Sequence, residues 1–341
     1  MALKTPIFGT KNVLVTGGAG FIGSHLCEQL LKKHKLKVIC IDDFSNSQSA
    51  NIDHLINDPN FEFIRHNVNE PFTLEQWPEL EKFKVKFQGI QEIYQLACPT
   101  SAKNFDQFKI ETLLANSSGM RNVLELAVKN HAKFLFASSS VVYGPRKGGE
   151  RIKESEEGVV NHLSPRGCYD EGKRFAETMV ETYRQVYNLD VRTARIFRTY
   201  GPRLKLFDGQ MISDFIVSAL QNKDLVIYGD ENFSSALVYV NDTVDALVKM
   251  MEAPGPLSPI NIGSDRLYKL FDVAQMVIRL TNSSSKIVFN PPLSFISPLG
   301  IPDLMLAKEL LGWIPLIDLE QGIKKTIDFD VVRAKLAGAG I

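Results

Sequence analysis

Cysteine is scarce in this 341-residue chain: Cys27, Cys40, Cys98 and Cys168 stand far apart and form no C-x-x-C pair, and no metal site is expected. Cys27 and Cys40 fall in apolar-periodic stretches, where a buried reduced thiol is the default. An excess of either charge is also missing. The 39 basic residues balance 39 acidic ones, so no broad basic surface argues for nucleic acid or an anionic membrane as partner. Long apolar runs are absent, and none approaches the ~20 residues of a membrane-spanning helix. The N-terminus lacks the apolar stretch and small-residue cleavage site of a secretory signal. A cytoplasmic protein is the expectation, long enough for a large α/β domain with a real core and a smaller second domain.

What is present is periodicity. Residues 12–16 read as a buried strand and residues 21–34 as a helix with apolar residues at helical spacing. A short apolar run at 37–41 then ends in Asp42. Strand, glycine turn, helix, strand and acidic residue form the opening of a doubly wound parallel sheet. Further strands are predicted at 61–64, 92–96, 133–137 and 191–195, with helix-like segments between most of them, as crossover connections require. Residues 112–128 and 169–187 read as long helices with apolar stripes. After Gly201-Pro202 the pattern changes to a helix at 211–221, short strands at 225–228 and 236–240, and a helix at 244–251. A proline-rich connection covers 254–259, and a segment mixing Ser, Asn and Pro covers 281–298. The expected organisation is a Rossmann-type α/β domain over residues 1–200, a smaller substrate-binding domain over 201–330 that returns at least once to the main sheet, and a frayed tail over 331–341.

The turn after the first strand reads Gly17-Gly18-Ala19-Gly20-Phe21-Ile22-Gly23. Glycines 17, 20 and 23 let the backbone turn tightly and approach a pyrophosphate, and the following helix N-terminus offers that anion free N–H groups and its positive dipole end. A glycine turn also occurs with no ligand. Here a strand precedes it, a helix follows it, and Asp42 falls 19 positions after Gly23, placed to accept hydrogen bonds from adenosine ribose hydroxyls. That charge opposes a 2′-phosphate and no arginine follows directly, so NAD is expected over NADP.

Tyr169 and Lys173 are one helical turn apart and share a face. An ammonium beside a phenol favours the phenolate, so the pair is expected to lower the tyrosine pKa and make it a usable base near neutral pH. The run Ser138-Ser139-Ser140, at the end of a buried strand, offers a hydroxyl near Ser139 to hold a substrate oxygen. Y-x-x-x-K pairs arise by chance on amphipathic helices, and a serine run is also a polar strand end. Their joint order gives them weight: glycine fingerprint, serines, then Tyr–Lys about 30 residues on describe a hydride-transfer site.

From about residue 11 to 329 the chain resembles the extended short-chain dehydrogenases/reductases of the nucleotide-sugar epimerase/dehydratase/decarboxylase group. The matching stretches are VTGGAGFIGSHL, YQLACPTSA, SSSVVYG, CYDEGKR, ARIFRTYGPR, VIYGD and KELLGW. YQLACP, CYDEGKR, and RTYGPR followed by DGQMISDF look most similar to UDP-glucuronate decarboxylases (UDP-xylose synthases). The resemblance implies Ser139, Tyr169 and Lys173 as the catalytic triad. Around the cofactor it implies Gly17, Gly20, Phe21, Ile22, Gly23, Asp42, Asn67 and Ala97, with Tyr169 and Lys173, and toward the substrate Ser140 and Arg203. It also implies tightly held NAD, a nucleoside-diphosphate sugar (a UDP-sugar first) oxidised transiently at C4, and a homodimer built on the helices near 112–128 and 169–187.

The departures from that resemblance bear on the reaction. Where 4,6-dehydratases carry Asp-Glu after the triad hydroxyl, this chain has Ser140-Val141, and eliminating water needs an acid and a base, neither of which valine supplies. Decarboxylases carry a glutamate at Val141, a lysine where Glu111 stands, and an arginine before a late Pro-Asp pair that here reads Leu299-Gly300-Ile301-Pro302-Asp303. The arginine expected after Tyr228-Gly229-Asp230 is missing from residues 231–236, and the asparagine before Thr-Tyr-Gly-Pro-Arg is Arg198. A guanidinium there grips a phosphate or carboxylate, or pairs with a structural acid. 4-Epimerisation needs the least machinery and is the first expectation. Decarboxylation of UDP-glucuronate to UDP-xylose without the usual Glu and Arg comes second. A non-catalytic NAD-binding scaffold comes third, opposed by the intact Ser139, Tyr169 and Lys173.

Overall fold

The computed structural model describes residues 9–100, 105–146, 149–205, 211–292 and 299–336. In chain order the first half runs β1 (Asn12–Thr16), α1 (Phe21–Lys32), β2 (Lys37–Asp42), β3 (Phe61–Arg65), the short α2 (Val85–Gln88), β4 (Glu92–Gln95), α3 (Lys109–Ala115), α4 (Ser118–Asn130), β5 (Lys133–Ser139), β6 (Arg151–Ile152), α5 (Gly167–Tyr187) and β7 (Val191–Ile196). The second half adds β8 (Thr199–Tyr200), α6 (Met211–Leu220), β9 (Leu225–Tyr228), β10 (Ser234–Ala236), β11 (Val238–Tyr239), α7 (Val240–Glu252), β12 (Ile260–Ile262), β13 (Leu267–Lys269), α8 (Leu270–Thr281), β14 (Ile287–Asn290), β15 (Ile301–Pro302), α9 (Met305–Leu311) and α10 (Leu319–Leu336).

β1 is buried along its whole length, which fits only a parallel sheet covered on both faces. Seven parallel strands form that sheet in the order β12-β7-β5-β4-β1-β2-β3. Successive side chains of β1 alternate between its two faces. Val13 and Val15 join a core with Leu26, Cys27, Cys40 and Leu247, while Leu14 joins one with Ile39, Val123, Phe134 and Val180. Cys27 and Cys40 are buried free thiols in the first of these cores. The strand order reverses between β1 and β4, and at that switch point the strands' C-terminal ends leave a crevice.

The second half forms two-stranded sheets, β9 with β14, β10 with β13 and β8 with β11, while β15 pairs with β6 of the first half. Among the described second-half strands only β12 rejoins the main sheet, pairing Ile260–Ile262 with Ala194–Ile196. At that edge Arg192 is fully buried. It donates to the carbonyls of Met250 (2.5 Å), Ala253 (2.8 Å) and Gly255 (2.8 Å), and pairs with Asp190 at 2.7 Å. The guanidinium thus satisfies carbonyls at and beyond the C-terminus of α7 that the helix leaves unpaired.

Several sequence expectations need correction. The long helix expected over 112–128 is two helices, α3 and α4, broken at Asn116-Ser117. Asn116 Nδ2 donates to Thr112 O at 2.8 Å and Ser117 Oγ to Leu113 O at 2.8 Å, the local side-chain bonding that competes with a continuous helix. The helix expected over 21–34 ends at Lys32, and the strand expected over 236–240 is divided, with Val240 already opening α7. α8, α9 and α10 were not anticipated, and α10 continues to Leu336, past the expected start of the tail. Residues 208–210 of the DGQMISDF stretch, 293–298 and 337–341 lie outside the described residues. No described helix is long and apolar enough to cross a membrane.

Candidate active site

All the site residues expected from the sequence line one cleft of about 470 Å³ beyond the C-terminal ends of β1, β2, β4, β5 and β7. On the cofactor side Gly17 has φ +68°, and a Cβ there would lie 2.8 Å from Ala97 N. A Cβ at Gly23 would run into Gly17 O. Side chains are excluded at both positions, which brings the turn against the strand end at Ala97 and α1 against the turn. Gly20 is the N-cap of α1 and brings no side-chain cap, and the first turn, with Phe21 and Ile22 in the cleft wall, carries no acid. Its N–H groups therefore remain for an anion.

Asp42 ends β2 and is buried. Its Oδ2 accepts from Ala19 N (3.0 Å) and its Oδ1 from Phe44 N (2.9 Å) and Ser47 Oγ (2.6 Å). Burial raises its pKa, against these hydrogen bonds. A carboxylate has about four lone-pair sites, so capacity for a ribose hydroxyl remains. Asn67 Oδ1 accepts from Asn69 N at 3.0 Å, leaving its amide NH₂ to the cleft wall. Anion-binding helix end, close glycine turn and acidic strand end together fit a dinucleotide.

On the catalytic side Ser139 ends β5, its Oγ accepting from Val141 N at 3.4 Å and hydrogen bonding with the Tyr169 hydroxyl. Ser140, buried, follows in the cleft wall. α5 presents Tyr169 and Lys173 on one face, but the electrostatics differ from the sequence expectation. Burial pushes the Tyr169 pKa up, Cys98 adds to this, and the Ser139 hydrogen bond opposes it. The Lys173 ammonium donates to Ala137 O at 2.9 Å and stands 5.9 Å from the Tyr169 ring centre, so it does not hold the phenol below its ordinary value. Burial in turn lowers the pKa of Lys173.

Arg198 lies in the cleft without an ion pair among the described residues. Its Nη1 donates to Ser235 Oγ at 3.1 Å. Burial lowers its pKa to about 10, and the Arg166 guanidinium adds to that. Arg203 also lines the cleft, but its Nη2 pairs with Glu28 of α1, and its buried Nη1 has no hydrogen-bond partner among the described residues.

Sequence reasoning missed a strap across the cofactor side. Pro202 O meets His25 Nε2 (3.1 Å), Arg203 O accepts from Asn51 Nδ2 (3.4 Å), and Lys205 Nζ donates to Asn46 Oδ1 (3.2 Å). Burial holds His25 down to about 4, so at neutral pH it is the uncharged donor that this carbonyl needs. Arg166 was missed as well, although it stands beside the CYDEGKR stretch. It pairs with Asp170 at 3.0 Å and lies 5.9 Å from the Tyr169 ring centre.

The model of the NAD dependent epimerase/dehydratase family matches residues 13–263. UDP-glucuronic acid decarboxylase 1 of Xenopus tropicalis is 39% identical over 322 residues, 94% of this chain and 72% of that protein. Among solved structures, UDP-glucose 4-epimerase of Thermotoga maritima with UDP-glucose superposes with a TM-score of 0.82 at 27% identity, covering 95% of this chain and 99% of that one. UDP-glucuronic acid 4-epimerase of Bacillus cereus in complex with NAD does so with a TM-score of 0.78 at 27% identity, covering 93% and 98%. The chain belongs to the NAD dependent epimerase/dehydratase family, as a Rossmann-type extended short-chain dehydrogenase/reductase of nucleotide-sugar metabolism whose cofactor is NAD.

Proposed function

We propose that the enzyme oxidises C4 of a UDP-sugar transiently and returns the hydride to the opposite face, which is 4-epimerisation. The observation that carries this is the Ser139–Tyr169–Lys173 set in the cleft, beside a Val141 that offers no ionisable group for further chemistry. Bound NAD supplies a hydride acceptor with a positively charged nicotinamide ring. Ser139 holds the C4 oxygen, Tyr169 takes its proton and returns one to the reduced product, and the Lys173 ammonium stabilises the phenolate formed in between. Lys173 is buried and Tyr169 half-buried in the cleft wall, which limits the water that reaches that proton.

A second reading is supported by the relatives named UDP-glucuronic acid decarboxylase. Oxidising C4 of a uronate makes a β-keto acid that loses carbon dioxide readily. Against it stand Val141 and Gly300, where a Cβ would lie 2.5 Å from Glu150 O and 2.6 Å from Ile152 Cδ1, so the backbone as packed has no room for an arginine. Incubation with UDP-hexoses and UDP-glucuronate, with products identified by NMR, is expected to give C4 epimers and little UDP-pentose. Rapid carbon dioxide release would replace the first reading by the second.

Arg198 serves as the anion contact in either case, for a diphosphate or a uronate carboxylate. In calorimetric titrations with UDP-sugars, Arg198→Asn is expected to weaken sugar-nucleotide binding by about 1.5–3 kcal/mol, as for one charge-assisted hydrogen bond. Unchanged affinity would remove Arg198 from the substrate site.

The homodimer belongs to the same reading. Ile110, Leu113 and Leu114 of α3 and Phe175 of α5 are exposed apolar side chains on two helices that pack together. Light scattering is expected to give twice the chain mass of 38.2 kDa, and a monomer at micromolar concentration contradicts this.

A further inference from the structure

Tyr169, Lys173 and Glu177 follow one another at four-residue spacing along α5 and so share a face. Glu177 lies behind the cleft wall, turned toward the sheet. Ser138 Oγ donates to its Oε1 at 2.5 Å, while Arg195 reaches Oε1 through Nε at 3.1 Å and Oε2 through Nη2 at 2.8 Å. Ser138 and Arg195 are register partners on β5 and β7. One carboxylate therefore ties the helix bearing Tyr169 and Lys173 to the strand end bearing Ser139 and to the strand leading to Arg198.

A structural ion pair would need Arg195 alone, and Arg195 has other partners in Tyr143 OH (2.9 Å) and Glu154 O (2.9 Å). Two features go beyond that role. The hydroxyl proton of Ser138, adjacent in sequence to Ser139, is committed to Glu177, which fixes the strand end. Lys173 is buried with the Phe136 ring 4.7 Å away, Ala137 O as hydrogen-bond acceptor, and Tyr169 and Cys98 around it. Against the cost of burying that ammonium, the groups that favour its charge are Cys98 and Glu177.

We propose that Glu177 is a positioning residue of the catalytic set: it clamps the strand end that presents Ser139 and places a negative charge on the helical face of Lys173, keeping the ammonium charged beside Tyr169. The proposal rests on the hydride-transfer reading, and its test is separable from that reading. Lysine labelled with carbon-13 at Cε reports the protonation of Lys173 by NMR without any substrate, the signal being assigned by its loss in Lys173→Met. Glu177→Gln is expected to lower the Lys173 midpoint by about half a pH unit or more, since a nearby opposite charge is removed. The double variant Glu177→Met, Arg195→Met removes the buried pair together and avoids stranding the arginine; because a cation leaves with the anion, it is expected to show a smaller fall in the same direction. An unchanged midpoint in the folded variants overturns the proposal and leaves Glu177 a structural ion pair. Failure of the wild-type protein to form any product from every UDP-sugar would instead sink the hydride-transfer reading.

Discussion

Tyr169→Phe is expected to lower turnover by about 10²–10⁴-fold, the usual contribution of a positioned acid–base group, with NAD affinity nearly unchanged. The ring stays, and with it the packing against Lys173 and Arg166, whereas the hydroxyl that bonds Ser139 is lost. Because burial raises this phenol's pKa, Tyr169 is protonated at neutral pH, and its base form gains population as pH rises. In the proposed mechanism the positive charge of a bound nicotinamide ring would join Lys173 in favouring the phenolate. Initial rates of product formation and calorimetry with NAD check both halves. Near-wild-type turnover would remove Tyr169 as the proton-transfer residue.

The largest effect on stability is expected from Arg192→Leu, at about 3–5 kcal/mol, because it strands the groups a buried charge had satisfied. The carbonyls of Met250, Ala253 and Gly255 and the Asp190 carboxylate would all lose a donor at the edge where α7 runs into β12. Urea unfolding followed by circular dichroism measures it as a lower midpoint. A loss under about 1 kcal/mol, the worth of one ordinary hydrogen bond, would mean that water replaces the guanidinium there.

The parts of the fold that were legible in the sequence are those whose signal is local. β1, the glycine turn, α1, β2 and Asp42 are contiguous, and their apolar pattern and punctuation agree. Tyr169 and Lys173 needed only helical spacing. The break at Asn116 was not legible, because a residue that caps or interrupts is read as another polar position until its acceptors, Thr112 O and Cys98 Sγ, are in place. Strands of two or three residues such as β11 and β12 are too short to show a period. The strap was invisible for a different reason: His25 and Pro202 are 177 residues apart, and Arg203 and Glu28 are 175 apart. The direction of the Tyr169 shift was misread because spacing reports the neighbouring ammonium and not the burial, which is a property of the assembled cleft.

The late return of β12 bears on how the polypeptide is made and where it can be cut. Ile260–Ile262 cover the free edge of β7 at Ala194–Ile196, roughly sixty residues after that edge is synthesised. At ordinary elongation rates of about 5–20 residues per second, the nascent chain carries an open strand for several seconds. An open strand is a row of unpaired N–H and C=O groups, a template for a second chain. A fragment ending near residue 200 would keep the glycine fingerprint, Tyr169 and Lys173 yet expose that edge permanently, so it is expected to precipitate rather than serve as a free-standing NAD-binding module.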